Sequence, residues 1–144
     1  MDEHALTDEQ REDLSRLRHY IEREDLRRIM NNTKWREAIA VVRALQPEFW
    51  VQFRARWVSQ RSQPTWEGSF PWHLPSPWLG IEWLDIKTVV TVPRRPGQET
   101  YTVDRTDEIL SGFRSCNVPF TYADGVVRIW GYLRPGETVV LDGA

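Results

Sequence analysis

Asp124-Gly125 is the feature that most restricts what this chain can fold into. It sits between Phe120-Thr121-Tyr122-Ala123 and Val126-Val127-Arg128-Ile129-Trp130-Gly131-Tyr132-Leu133. A two-residue hairpin turn needs positive φ, which Gly adopts without steric cost. The run after the turn is β-branched and aromatic, with apolar bulk on both faces. A strand covered on both faces belongs in the middle of a sheet. Just before the hairpin, Ile109, Leu110 and Phe113 form the apolar face of a helix. Asp104 or Thr106 caps it, and Asn117 stops it.

The earlier chain supplies two more helices. Thr7 and Gln10 have capping-box spacing, and Leu14, Leu17 and Ile21 follow as a narrow apolar stripe. That helix docks by one edge or stands as an appendage. Asn31-Asn32-Thr33 caps the next, in which Trp35, Ala38, Ile39, Val42 and Leu45 recur at helical spacing. Phe49 to Val58 alternates as a strand, with Phe49, Val51, Phe53, Ala55 and Trp57 on one side and Gln52, Arg54 and Arg56 on the other. Trp66 to Phe70 is a candidate short strand beside it. Trp78 to Ile86 reads two ways: Ser76-Pro77 predicts a short helical turn there, while Ile81-Glu82-Trp83-Leu84 also alternates as a strand. A strand from Ile86 to Val92 follows, returning over Thr100 to Val103, and Thr138–Leu141 is a candidate edge strand. The expected fold is α+β: N-terminal helices, a mostly antiparallel sheet of about five strands, and one further helix before a C-terminal β-hairpin.

Charge and composition narrow the function. Residues 1–30 carry six Arg against nine acids, residues 31–65 six basic residues against two acids, and residues 66–144 seven against ten. A basic middle therefore lies between two acidic ends. The net charge of −2 makes a general nucleic-acid binder the weakest class. A single cysteine, Cys116, excludes an internal disulfide. The charged start shows no signal-peptide pattern, and no apolar run reaches the roughly 18 residues of a membrane span. The expected location is the cytoplasm, with no membrane partner.

Strong catalytic motifs do not occur. The chain has no glycine-rich phosphate loop, no nucleophile elbow and no zinc spacing. His4, His19 and His73 are scattered, so neither metal nor cofactor is predicted. Cys116 would need His73 beside it to act as a nucleophile; otherwise it is a small apolar residue at the back of a helix. Eight Trp, five Phe and four Tyr exceed what a core of this length needs, and aromatic side chains anchor protein interfaces. Between Ser59 and Pro77 four prolines alternate with Trp66, Phe70 and Trp72. The predicted partner-binding set is Arg54, Arg56, Trp66, Phe70, Trp72, His73 and Trp78. Arg54 and Arg56 read either as a solvated sheet face or as a basic patch that meets an acidic partner. A second candidate face holds Arg128, Trp130, Tyr132 and Arg134, in line on one side of a strand, with the acids Glu82 and Asp85. It reads as a ligand face, as a carboxylate pair of glycosidase type, or as packing in which Arg128 answers Glu82 or Asp85.

Four stretches taken together carry a resemblance. They are Met30-Asn31-Asn32-Thr33-Lys34-Trp35, Ile81-Glu82-Trp83-Leu84-Asp85-Ile86, Asn117-Val118-Pro119-Phe120, and Gly125 through Pro135. In this order they resemble a bacterial family of small stand-alone proteins classed as a domain of unknown function, over residues 30–136. The resemblance implies a single α+β domain over 30–144, preceded by a charged helical extension at 1–29. It supplies no catalytic residue. Small bacterial proteins of this kind are often immunity partners of interbacterial toxins, so the expected function is non-catalytic protein binding, with a cognate toxin as partner. An enzyme or small-ligand domain using the Arg128 face is the alternative.

Overall fold

The computed structural model describes residues 7–45, 50–59, 62–67, 78–92 and 96–143. Helix α1 spans Asp8–Arg23 and opens on the expected capping box, with the Thr7 and Gln10 side chains exchanging bonds with each other's backbone. Strand β1 is Arg27–Arg28, and α2 spans Asn32–Arg43, capped by the Asn31 side chain on the Lys34 N–H at 2.8 Å. Strand β2 is Phe53–Trp57. A 3-10 turn at Trp78–Gly80 leads into β3, Ile81–Lys87, which is followed by β4, Val89–Val92, and β5, Tyr101–Asp104. Helix α3 is Thr106–Ser115. Its first turn is held by Asp104, whose carboxylate accepts from the Thr106 N–H at 2.9 Å. Strands β6, Phe120–Ala123, and β7, Val126–Trp130, form the hairpin, and β8 is Tyr132–Leu133. Asp124 and Gly125 both have positive φ, 51° and 76°, as the turn requires.

The fold is α+β, and among the described residues every strand pairing is antiparallel. Their main sheet has four strands in the order β2-β3-β7-β6, with two-stranded pairs β4-β5 and β1-β8 beside it. Strand β7 lies in its interior, as its two-sided bulk demands. One face of this sheet is the core. Phe53, Leu84, Ile86, Phe120, Val127 and Ile129 pack there against Trp35, Ala38, Ile39 and Val42 of α2 and Ile109, Leu110 and Phe113 of α3. Burying each of these side chains contributes about 1.5–3 kcal/mol before chain entropy is counted.

Three sequence expectations need correction. The short helical turn after Ser76-Pro77 is present at Trp78–Gly80, but the strand that follows begins at Ile81 and not Ile86, and it ends at Lys87, with Val89–Val92 a separate strand. Alternate side chains of Ile81–Lys87 are wanted on both sides of a sheet, which favours strand there. The run Val126–Leu133 is also not one strand. It breaks at Gly131, and Tyr132–Leu133 pairs instead with Arg27–Arg28. Opposite this break β3 bulges. Arg56 faces Trp83 while Trp57 faces Ile81, so Glu82 is the extra residue. The Gly131 N–H donates to the Glu82 carbonyl at 2.7 Å, and a Cβ on Gly131 would run into the Ile81 carbonyl oxygen. Gly131 is what lets β7 approach the bulge. In place of the candidate edge strand at Thr138–Leu141, Asp142 alone bridges to Phe120.

Helix α1 docks by one edge. Leu14, Leu17, Tyr20 and Ile21 pack on a buried cluster of Leu26, Val58, Leu79 and Tyr132. Trp83, Trp130 and Leu133 form a third cluster, covered by Ile29, Val139 and Leu141.

Candidate functional site

The face of the main sheet turned away from α2 and α3 carries the chemistry. Paired residues on neighbouring antiparallel strands share a face. Arg54, Asp85 and Arg128 therefore stand in one row across β2, β3 and β7, and Arg56, Trp83 and Trp130 stand in the next. The bulge brings Glu82 to Arg56 as well. The sequence pattern on β3 is Trp83 and Asp85 outward, Leu84 and Ile86 inward.

Both acids are buried, with Glu82 3% and Asp85 1% exposed. Burying a carboxylate is costly unless it is paired and hydrogen-bonded, and each is met by two arginines. Arg54 Nε donates to Asp85 Oδ2 at 2.9 Å, while Arg128 donates from Nε to Oδ1 at 2.7 Å and from Nη2 to Oδ2 at 2.9 Å. Arg128 thus grips Asp85 in the bidentate geometry that fixes a guanidinium plane. Glu82 pairs with Arg134 through Oε1 and with Arg56 Nε through Oε2 at 3.2 Å. Arg134 also donates to the Val58 carbonyl at 2.7 Å. Burial works against the Arg134 cation, but its hydrogen bond to Tyr20 and the Glu82 carboxylate outweigh this and raise its pKa.

Tryptophan rings lie between and above these groups. The Arg128 guanidinium sits 3.8 Å from the Trp83 ring centre, and that of Arg54 lies 5.8 Å away. Trp66 meets Arg54 at 4.4 Å and Lys87 at 4.7 Å. Each contact is within cation–π range. Trp66 is brought there because Glu67 pairs with Phe53 on the outer edge of β2, through backbone bonds of 2.8 and 3.2 Å. The Trp130 indole donates to Thr121 Oγ1 at 3.0 Å. The four arginine side chains stay between 21% and 29% exposed. The result is a set of cations anchored by buried acids, each with part of its side chain exposed.

The structure therefore brings together Arg54, Arg56 and Trp66 from the first candidate set and Glu82, Asp85, Arg128, Trp130 and Arg134 from the second. They form one surface instead of two. Tyr132 does not belong to it. Past Gly131 its ring turns to α1, and its hydroxyl donates to the Leu79 carbonyl at 2.7 Å. Burial pushes its pKa up to about 12, although the nearby Arg28 charge acts the other way. Phe70, Trp72, His73 and the side chain of Trp78 lie outside what the structure describes. Trp83 and Lys87 were absent from both sets. The alternation Trp83-Leu84-Asp85-Ile86-Lys87 was the signal that could have placed them.

Other chemistry lies elsewhere. Burial, reinforced by the Glu37 charge, pushes the Cys116 thiol up, and its Sγ lies 3.2 Å from the Gly112 carbonyl oxygen. A raised thiol pKa disfavours the nucleophilic thiolate. A cleft of about 340 Å³ at the start of α3 is lined by Asp104, Arg105, Thr106, Asp107 and Glu108, and it includes none of the candidate residues. Among the described residues, no group of three His, Cys, Asp or Glu side chains is placed to hold a metal ion, and no helix is long and apolar enough to cross a membrane.

Fold and site together define an α+β domain whose outer sheet face is a carboxylate-anchored arginine and tryptophan surface. The chain belongs to a family of unknown function, DUF6678, which it matches over residues 17–136. The match begins inside α1, so it takes in Leu17, Tyr20 and Ile21 and runs past Arg134. No curated protein and no solved structure matches the chain.

Proposed function

We propose that the protein is a non-catalytic binding module that captures another protein on the outer face of its sheet. Its partner is a toxin that it neutralises, and it acts in the cytoplasm of a bacterium. The observation that supports this most is how the two acids are used. Asp85 and Glu82 each hold two arginines, and both oxygens of each carboxylate are engaged. A carboxylate so occupied orients cations instead of moving protons. The partly exposed arginines and Trp66 beside them have the composition of interface hot spots, while Trp83 and Trp130 are buried beneath and help hold the arginines in place. Neutralising a toxin requires tight, rigid contact and no chemistry, which suits a surface fixed from beneath.

The test is protection and capture. The products of the genes flanking this one are screened for one that stops growth by itself, and it is expressed with the wild-type chain and with the double variant Trp66→Ala, Lys87→Gln. Neither substitution removes a partner of Glu82 or Asp85, and the melting temperature of the purified variant checks that the fold survives. The expected result is growth with wild type and loss of protection with a folded double variant. Full protection by the double variant, or no capture by wild type, overturns the proposal.

A further inference from the structure

The charge on this face is not balanced, and that surplus says what the partner must bring. Arg54 and Arg128 share Asp85, and Arg56 and Arg134 share Glu82. Each set of two arginines and one acid keeps one positive charge. Lys87 stands beside Trp66 and adds another. Counting against them exposed Glu137, whose carboxylate accepts from the Arg134 N–H, five cations and three acids leave +2 on a chain whose net charge is −2. The local field therefore opposes that of the whole molecule.

We infer that the partner meets this face with an acidic segment of polypeptide carrying at least two carboxylates, which is a statement about the epitope and rests on the binding reading above. Glu137 offsets the surplus of the Glu82 set, so the two surplus charges lie along β3 at the row of Asp85 and at Lys87, two positions or about 7 Å apart. Two carboxylates spaced two residues apart on an extended segment, about 7 Å, fall within that reach. The Arg54 and Arg128 guanidinium groups are already held by Asp85 and Trp83, so little side-chain freedom is lost when a carboxylate docks there. Trp66 gives the segment an apolar rest between Arg54 and Lys87. A long polyanion such as a nucleic acid fits less well, because beyond this patch it would run onto a chain of net negative charge.

A defined probe separates these outcomes. A twelve-residue peptide of alternating Glu and Ser is titrated into the isotopically labelled full chain, with the Gln-and-Ser peptide and a single-stranded oligonucleotide as comparisons. The indole N–H signals of Trp66 and Trp83 and the Nε–H signals of Arg54 and Arg56 report binding. The expected result is movement of these signals with the Glu peptide alone, weakening roughly five-fold or more from low to moderate salt as the charges are screened. Lys87→Gln, which leaves both buried acids paired, should weaken binding without lowering the melting temperature. Equal binding of the Gln peptide, or tighter binding of the oligonucleotide, overturns the inference. If the Glu peptide does not bind while a growth-stopping product of a flanking gene is captured through Trp66, the acidic epitope is wrong and the binding reading stands. If neither binds, both fall.

Discussion

Replacing Asp85 by Asn keeps the shape of the side chain and removes its charge. In the native face Asp85 is 1% exposed and accepts three hydrogen bonds, one from Arg54 and two from Arg128. The amide leaves two guanidinium groups facing each other with no anion between them. Removing one partner of a buried ion pair costs about 3–5 kcal/mol. Arg54 and Arg128 retain 21% and 29% exposure and can swing their tips toward water, which favours the lower end of that range. A loss of about 3 kcal/mol corresponds to a fall of roughly 10 °C in melting temperature for a domain of this length. Thermal melts followed by circular dichroism at neutral pH measure it. Arg128→Gln and the double variant complete a cycle, in which the pair should couple by about 1–3 kcal/mol. If Asp85→Asn melts within a degree or two of wild type, or the two single losses simply add, the buried acid is not what holds the arginines in place.

Tyr132 makes stability fall in alkali. Its folded pKa of about 12 lies above the value of about 10 expected when unfolded, so the folded state holds its proton more tightly. The contribution is complete below pH of about 10 and is lost as pH rises toward about 12, amounting to about 3 kcal/mol in all. Urea titrations across that window should show the decline, and Tyr132→Phe should flatten it. At neutral pH the same variant should cost about 1 kcal/mol, because the Leu79 carbonyl loses its donor. Gly131→Ala should cost about 3 kcal/mol or more, since the added methyl meets backbone and not a movable side chain. A soluble Gly131→Ala protein with an unchanged denaturant midpoint would contradict the bulge geometry.

What the sequence revealed follows the range of the interactions involved. Helix α2 and the β6–β7 turn are set by local chemistry. Their spacing, the Asn31 cap and Asp124-Gly125 can be read within a few residues. The break at Gly131 could not be read that way. It lies among strong strand formers, and its cause is a carbonyl on β3 about fifty residues earlier in the chain. Strand β3 was obscured because Ile81 through Ile86 are buried on both sides, so polar residues do not mark a wet face. The arginine surface was visible only as two unrelated lists. Arg54 reaches Asp85 across 31 residues and Arg128 reaches it across 43, contacts that exist only once the order β2-β3-β7 is known. Tyr132 was assigned to that surface by simple alternation, and the kink at Gly131 turned it to α1 instead.

The most direct test of the central claim is the affinity of a growth-stopping product of a flanking gene for the wild-type chain and for the Trp66→Ala, Lys87→Gln variant, measured by calorimetry on proteins of matched melting temperature. Two contacts at the centre of the interface, one aromatic and one cationic, together predict a loss of about a hundredfold. An unchanged dissociation constant would contradict the claim that the outer face of the sheet is where this protein binds.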